Sequence, residues 1–180
     1  MRGNHEPPFD LIPYPHDLPS QIRKKFNDDT IYHKVMDRFQ ELPFFAFCKD
    51  FIFMHGGIPV NAKSVSELKD ASRTHPESSF LTEILWNDPI EEDGVYPSPR
   101  GAGYLFGRDI SDTVLKSLGF KFLVRSHEPC NGIKIMHSGR VITVFSRVGF
   151  PYSNSKFAIL RLKFDEKCTD DILRNAIFFR

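Results

Sequence analysis

Two apolar runs that each stop at a histidine set the tightest limits on how this chain can fold. Phe51-Ile52-Phe53-Met54 ends in His55-Gly56-Gly57, and Phe122-Leu123-Val124-Arg125 ends in Ser126-His127. A short run of bulky residues bounded by glycine or polar residues reads as a buried strand. A histidine placed where a strand gives way to a loop is presented from the edge of a rigid sheet, which is the layout a ligand requires. A third cluster, Gly3-Asn4-His5-Glu6, supplies an amide oxygen, an imidazole and a carboxylate behind a glycine that lets backbone approach closely. Alone, such a tetrapeptide is more often a polar turn; three sites of this kind at separated positions favour a shared centre.

The patterning between these sites predicts strands interleaved with helices. Prolines at 7, 8, 13, 15 and 19 predict an irregular loop over 7–19. Leu18, Ile22 and Phe26, then Ile31, Val35 and Phe39, recur at helical spacing and predict two amphipathic helices. Segments 44–48 and 51–55 flank Lys49-Asp50 as a hairpin that delivers His55 to the sheet edge. Ser64 with Glu67 reads as a capping box for a helix through about Ala71, and Leu81, Ile84 and Leu85 as a helix ending near Trp86. Residues 88–103 predict a long exposed loop, and 110–118 a helix closed by Gly119. Further strands are expected at 120–125, 132–137, 141–145 and 157–164, with a terminal helix over 169–179.

At 180 residues, 41% apolar and 26% charged, the chain can bury one real core. A net charge of +1 without a sustained basic stripe argues against a nucleic-acid partner, and Arg23-Lys24-Lys25 reads as an exposed helix face. No apolar stretch reaches membrane-spanning length, so no membrane partner is expected. Cys48, Cys130 and Cys168 are odd in number and widely spaced, the usage of reduced thiols in a cytoplasmic protein. The 18 phenylalanines point to an aromatic-rich core, with some marking surface that a further segment would cover.

Taken in order, Gly3-Asn4-His5-Glu6, His55-Gly56-Gly57, Leu85-Trp86-Asn87-Asp88-Pro89, Arg100-Gly101 with Phe106-Gly107, Arg125-Ser126-His127 and Phe145-Ser146 resemble the successive motifs of the phosphoprotein phosphatase family. That group of serine/threonine phosphatases lies within the calcineurin-like metallophosphoesterase superfamily. The resemblance implies an α/β (α+β) fold, a central β-sandwich flanked by helices. In that family GDxHG and GDxVDRG precede GNHE, and no Gly-Asp dipeptide occurs in these residues. The chain is therefore expected to be the C-terminal part of a catalytic domain over 1–165, with its N-terminal strands missing and a helical tail over 166–180.

By the same resemblance, Asn4, His55 and His127 are ligands of the second of two metal ions, Mn, Fe or Zn. This chain would hold at most one partly ligated site. His5 corresponds to the general acid that protonates the departing Ser or Thr oxygen, and Arg100 to an arginine that binds the phosphate. Arg125, Arg2 and Glu6 are expected to be structural, and Trp86 and Asp88 to serve packing and loop placement. Where the family has Ser-Ala-Pro-Asn-Tyr-Cys, this chain has Ser146-Arg147-Val148-Gly149-Phe150-Pro151. Phe150 takes the place of a substrate-facing tyrosine, and Tyr152 is a nearby source of a hydroxyl. His16, His33, His75 and His137 match no motif and are expected in loop or surface roles.

The implied activity is metal-dependent hydrolysis of phosphoserine and phosphothreonine in proteins by metal-bound hydroxide, with no phosphoenzyme. A phosphoprotein substrate and regulatory subunits are the implied partners. The alternatives are a metallophosphoesterase acting on small phosphoesters or dinucleoside polyphosphates, and a non-catalytic binding remnant. With one metal's ligands absent from its motifs, the isolated chain is expected to be weakly active and prone to aggregate.

Overall fold

A computed structural model describes residues 1–162 and 176–179. The centre is a five-stranded sheet. Its strands are β1 (Phe45–Cys48), β2 (Phe51–Met54), β6 (Phe122–Arg125), β7 (Ile133–Met136) and β8 (Val141–Val144), in the order β1-β2-β6-β8-β7. The strands β2, β6 and β8 run parallel, with Phe51 opposite Phe122 and Leu123 opposite Val141, while β1 and β7 are antiparallel edges. Three parallel strands side by side are buried on both faces, which is why their sequences read as continuous apolar runs rather than alternating ones.

Side-chain alternation divides the sheet into two cores. Ile52, Met54, Leu123 and Val141 face the helices α3 (Val65–Asp70), α4 (Phe80–Trp86) and α5 (Arg108–Leu118), packing with Leu68, Leu81, Ile84, Leu85, Val114 and Leu115. On the other face Phe51, Val124 and Ile142 pack with Phe53, Phe122 and Val144, covered by Leu160 and Leu162. Leu160 ends β9 (Phe157–Leu160), which pairs with β10 (Ala176–Phe179) as a second layer. Arg125 falls on the helix face at the end of β6, the one charged position in that row of the strand.

The helices α1 (Leu18–Phe26) and α2 (Thr30–Gln40) lie where the spacing predicts them, each burying one residue, Ile22 and Met36. Ser64 Oγ accepts from Glu67 N at 3.3 Å, and the Glu67 carboxylate reaches back to Lys63 N at 2.8 Å, one residue earlier than a standard capping box. Gly119, at φ 81°, closes α5 in the left-handed conformation.

Two expectations are corrected. Residues 88–103 do not form an open loop: β3 (Asp88–Pro89), β4 (Val95–Pro97) and β5 (Tyr104–Phe106) form a small sheet ordered β3-β5-β4. The apolar Tyr104–Phe106 run supplies a common partner for both ends of the segment, a pairing that local proline and glycine content conceals. The helical tail expected at 166–180 lies mostly outside the described residues, and where it is described, at Ala176–Phe179, it is a strand. Pairing with β9 overrides the local helical spacing there. Among the described residues no helix is long and apolar enough to cross a membrane.

Candidate metal centre

The parallel pairing of β2 with β6 brings both histidines to one edge of the sheet. His55 follows β2 directly, and Ser126 N donates to His55 O at 3.0 Å, so the two strand ends leave the sheet in step. His127 lies two residues beyond β6 at φ 67°, a left-handed conformation that turns the chain back toward the site. The two rings meet edge to face with centroids 5.1 Å apart, and Trp86 meets His127 in the same way at 5.6 Å.

Close backbone packing holds this turn. Gly56 N donates to Ile84 O at 2.8 Å, and a Cβ on Gly56 would lie 2.6 Å from the Leu85 carbonyl carbon and the Trp86 nitrogen. Only glycine lets the His55 turn sit against the end of α4.

Asn4 reaches the same place from the opposite end of the sequence. Arg2 N donates to Pro43 O at 2.8 Å, Glu6 N to Gly3 O at 3.0 Å, and Gly3 N to the Glu6 carboxylate at 2.8 Å, closing a tight turn. Arg2 and Glu6 thus act structurally, as expected, with Arg2 Nε donating to Glu6 O at 2.5 Å. The turn buries Asn4 and sets its Oδ1 2.8 Å from His55 Nε2. His5 is exposed on the same turn.

Burial pushes the His55 imidazole down to about 4, with Arg125 and His5 adding to the effect. Burial likewise pushes His127 down to about 3, against the pull of Asp88. Both rings are therefore neutral at pH 7 and keep a lone pair for a cation. His127 Nε2 is buried with no hydrogen-bond partner, and Asp88 Oδ2 stands 4.0 Å from it. An orphaned buried nitrogen beside a converging imidazole and amide oxygen fits a divalent cation held by Asn4, His55 and His127. Among the described residues no three His, Cys, Asp or Glu side chains are grouped to hold an ion, so this set of two imidazoles and one amide is the candidate.

Arg100 joins the site through Asp88. Arg100 Nε donates to Asp88 Oδ2 at 2.7 Å, and Arg125, wholly buried, donates to Asp88 Oδ1 at 2.6 Å. Arg125 also donates to Gly56 O at 2.5 Å, to Asn87 O at 3.3 Å and to the Glu128 carboxylate at 2.5 Å. Burial alone would raise the Asp88 carboxyl, but Arg125, His127 and Arg100 together hold it below the usual carboxylate range. Arg125 is structural as the sequence reading expects, and Asp88 places the Arg100 loop.

Sequence reasoning missed Glu128 and Asn87. Asn87 is fully buried, donating from Nδ2 to Ile58 O at 2.9 Å and accepting Tyr104 N at 2.7 Å, which ties the His55-Gly56-Gly57 loop to β5. A polar residue next to Trp86 in an otherwise apolar run was the available signal for Asn87. Nothing local marked Glu128. Two histidines expected in loop or surface roles are enclosed. His137 sits between Ser111 Oγ at 2.9 Å and Ile90 O at 2.6 Å, and the mostly buried His75 pairs with Asp10 at 2.6 Å. Their partners lie far away in sequence, so only the fold reveals them.

Phe150 and Tyr152 are not drawn into the centre. Phe150 is 91% exposed, and Tyr152 packs edge to face on Phe145 with centroids 5.1 Å apart, with Arg147 over its ring. No hydrogen bond, ion pair or ring contact among the described residues joins either to Asn4, His55 or His127.

Comparison with known proteins gives the chain's family. The calcineurin-like phosphoesterase family matches residues 1–131. A probable serine/threonine-protein phosphatase of Encephalitozoon cuniculi is 34% identical over 152 residues, 81% of this chain and 33% of that protein. Serine/threonine-protein phosphatase T of Saccharomyces cerevisiae is 33% identical over 150 residues, 81% of this chain and 29% of its own length. The catalytic subunit of serine/threonine-protein phosphatase 4 from Kluyveromyces lactis is 29% identical over 175 residues, 95% of this chain and 56% of the relative. A solved S. cerevisiae protein serine/threonine phosphatase, described as similar to human phosphatase PP5, superposes with a TM-score of 0.76 at 26% identity, covering 98% of this chain and 57% of that one. The chain thus spans from 29% to 56% of the length of these curated relatives. Because the match runs from the Asn4 turn to beyond His127 on a backbone shared with a solved phosphatase, the chain belongs to the calcineurin-like phosphoesterase family, in its phosphoprotein phosphatase group.

Proposed function

We propose that this chain carries part of the catalytic centre of a metal-dependent phosphoserine/phosphothreonine protein phosphatase. The observation that carries the reading is the buried, unpartnered His127 Nε2 beside His55 and Asn4, with Arg100 tethered to the same carboxylate that His127 faces. Asn4, His55 and His127 would hold a cation such as Mn²⁺, Fe or Zn²⁺, which would supply Lewis acidity and lower the pKa of water so that a nucleophile is available near neutral pH.

The chain's own residues do the rest. The guanidinium of Arg100, its Nε anchored, offers its terminal N–H groups to two phosphate oxygens. His5, exposed on the same turn as Asn4, would give a proton to the departing serine or threonine oxygen, a role worth about 10²- to 10⁴-fold in rate. Trp86 packs edge to face on His127 and helps hold that ring in place. Regulatory subunits and a phosphoprotein substrate belong to this reading; one relative is named the catalytic subunit of serine/threonine-protein phosphatase 4.

The test is Mn²⁺-dependent hydrolysis of an aryl phosphate and of a phosphopeptide, with a His127→Ala control and a parallel Mn²⁺ titration. Mn²⁺ binding that disappears with His127→Ala, together with phosphopeptide hydrolysis, supports the reading. Turnover that ignores Mn²⁺ or survives His127→Ala sinks it. Preference for a dinucleoside polyphosphate would select the small-phosphoester alternative. Mn²⁺ binding without any turnover would select the binding remnant.

A further inference from the structure

An arginine on a surface loop carries rotamer entropy that a ligand must overcome before it is gripped. Arg100 sits on such a loop, between β4 and β5, with its side chain 37% exposed. Among the described residues, of its five N–H donors only Nε is engaged, by Asp88 Oδ2 at 2.7 Å, and the terminal nitrogens make no hydrogen bond. That bond fixes the plane of the fork while leaving the fork itself available.

The anchor is itself immobile. Asp88 is 6% exposed, and its other oxygen takes Arg125 at 2.6 Å. Arg125 cannot shift, because it is fully buried and held by Gly56 O, Asn87 O and Glu128. Through Gly56 this chain of bonds reaches the turn that carries His55, and Asp88 Oδ2 faces His127. One carboxylate therefore sets the distance between the arginine and the ligand histidines.

We propose that Asp88 is a positioning residue, acting through Arg100 to pre-orient the arginine fork for phosphate rather than serving only to hold the fold. The inference rests on the phosphate-binding role of Arg100 given above. It makes a prediction of opposite sign to simple electrostatics. Asp88 brings a negative charge close to the anion, so if charge alone mattered, Asp88→Asn would tighten phosphate binding. Loss of the anchor instead returns the ordering cost to the ligand and weakens binding. Arg125 and Arg100 take different oxygens of Asp88, and asparagine puts an NH2 donor in place of one of them, so one arginine loses its acceptor.

The experiment is a double-mutant cycle read as the affinity of inorganic phosphate for the Mn²⁺-loaded chain, by calorimetry or phosphorus NMR. Asp88→Asn is expected to weaken phosphate about tenfold in the natural background. In an Arg100→Ala background it is expected to change affinity by less than about twofold. Tighter or unchanged binding in Asp88→Asn overturns the proposal, and so does an equal loss with Arg100 already removed. Should Asp88→Asn fail to fold, Arg100→Lys decides. It keeps the charge on an exposed side chain but loses the anchored fork, and is expected to bind phosphate within about threefold of Arg100→Ala. Wild-type affinity in Arg100→Lys overturns the proposal. No phosphate binding by the unsubstituted chain would instead overturn the phosphate role of Arg100 itself.

Discussion

Replacing Arg125 with methionine removes a guanidinium that no water reaches and leaves Asp88 with Arg100 alone and Glu128 with only Lys134 at 3.5 Å. Arg125 is 0% exposed, against 6% for Asp88 and 20% for Glu128, and its bonds to them are 2.6 and 2.5 Å. Removing one partner of a buried pair costs about 3–5 kcal/mol, because the remaining charge keeps its desolvation penalty without its attraction. Gly56 O also loses its 2.5 Å donor, a further cost within the same range. The expected loss is about 4 kcal/mol, measured by urea unfolding with the single tryptophan, Trp86, as the probe and an unchanged m-value as the condition. Arg38→Met is the control. Arg38 pairs with Glu41 at 2.9 Å, but both are exposed, and the expected loss is below about 0.5 kcal/mol. Adding Asp88→Asn to Arg125→Met should recover part of the loss by removing a buried carboxylate that retains only Arg100 as its partner. A loss no larger than that of Arg38→Met would refute the reasoning and mean that desolvation of the cluster offsets its attraction.

Acid should have two separable effects. With His55 at about 4 and His127 at about 3, protons do not compete for the ligand nitrogens until the pH approaches those values. Mn²⁺ affinity of the folded chain should change less than about twofold between pH 7 and 5.5, whereas two imidazoles of ordinary pKa would lose roughly 70-fold; a calorimetric loss that large would sink the assignment. Both shifts are downward, so in the metal-free chain the unfolded imidazoles take up protons that the folded ones refuse. Stability should fall as the pH drops from about 6.5 toward 4, by up to about 2.7 kcal/mol per pH unit, and a flat profile in chemical denaturation would contradict this. Gly56→Ala should destabilise by about 1–3 kcal/mol, because its Cβ meets backbone at 2.6 Å, and should also weaken Mn²⁺ binding. Gly119→Ala, which meets open space, should cost only the strain of its positive φ, about 1 kcal/mol, and leave Mn²⁺ binding unchanged in the same titration.

Much of this architecture was legible along the chain because its signals are local. Helical spacing located α1 and α2, and the unbroken apolar runs located β2 and β6, since strands buried on both faces leave no polar alternation to misread. The histidines that end those runs identified the sheet edge. Residues 88–103 read as loop because the strands that order them are two and three residues long and pair only with each other. The segment Ala176–Phe179 carries helical spacing but finds a strand partner in β9, and pairing outweighs propensity.

The chemistry divides in the same way. Residue type and position along the chain marked Asn4, His55 and His127, at a glycine turn and two strand ends, and the resemblance to the family's motifs supplied their roles and added Arg100. Their common meeting point depends on parallel pairing across 71 residues of sequence, from Phe51 to Phe122, which no local pattern encodes. The Asp88, Arg125 and Glu128 cluster, and the burial that keeps both imidazoles neutral, likewise come from packing. A charged residue's role is set by what surrounds it: in water Arg125 would be one more surface cation, and enclosed beneath the His55 turn it becomes the part to which the site is fastened.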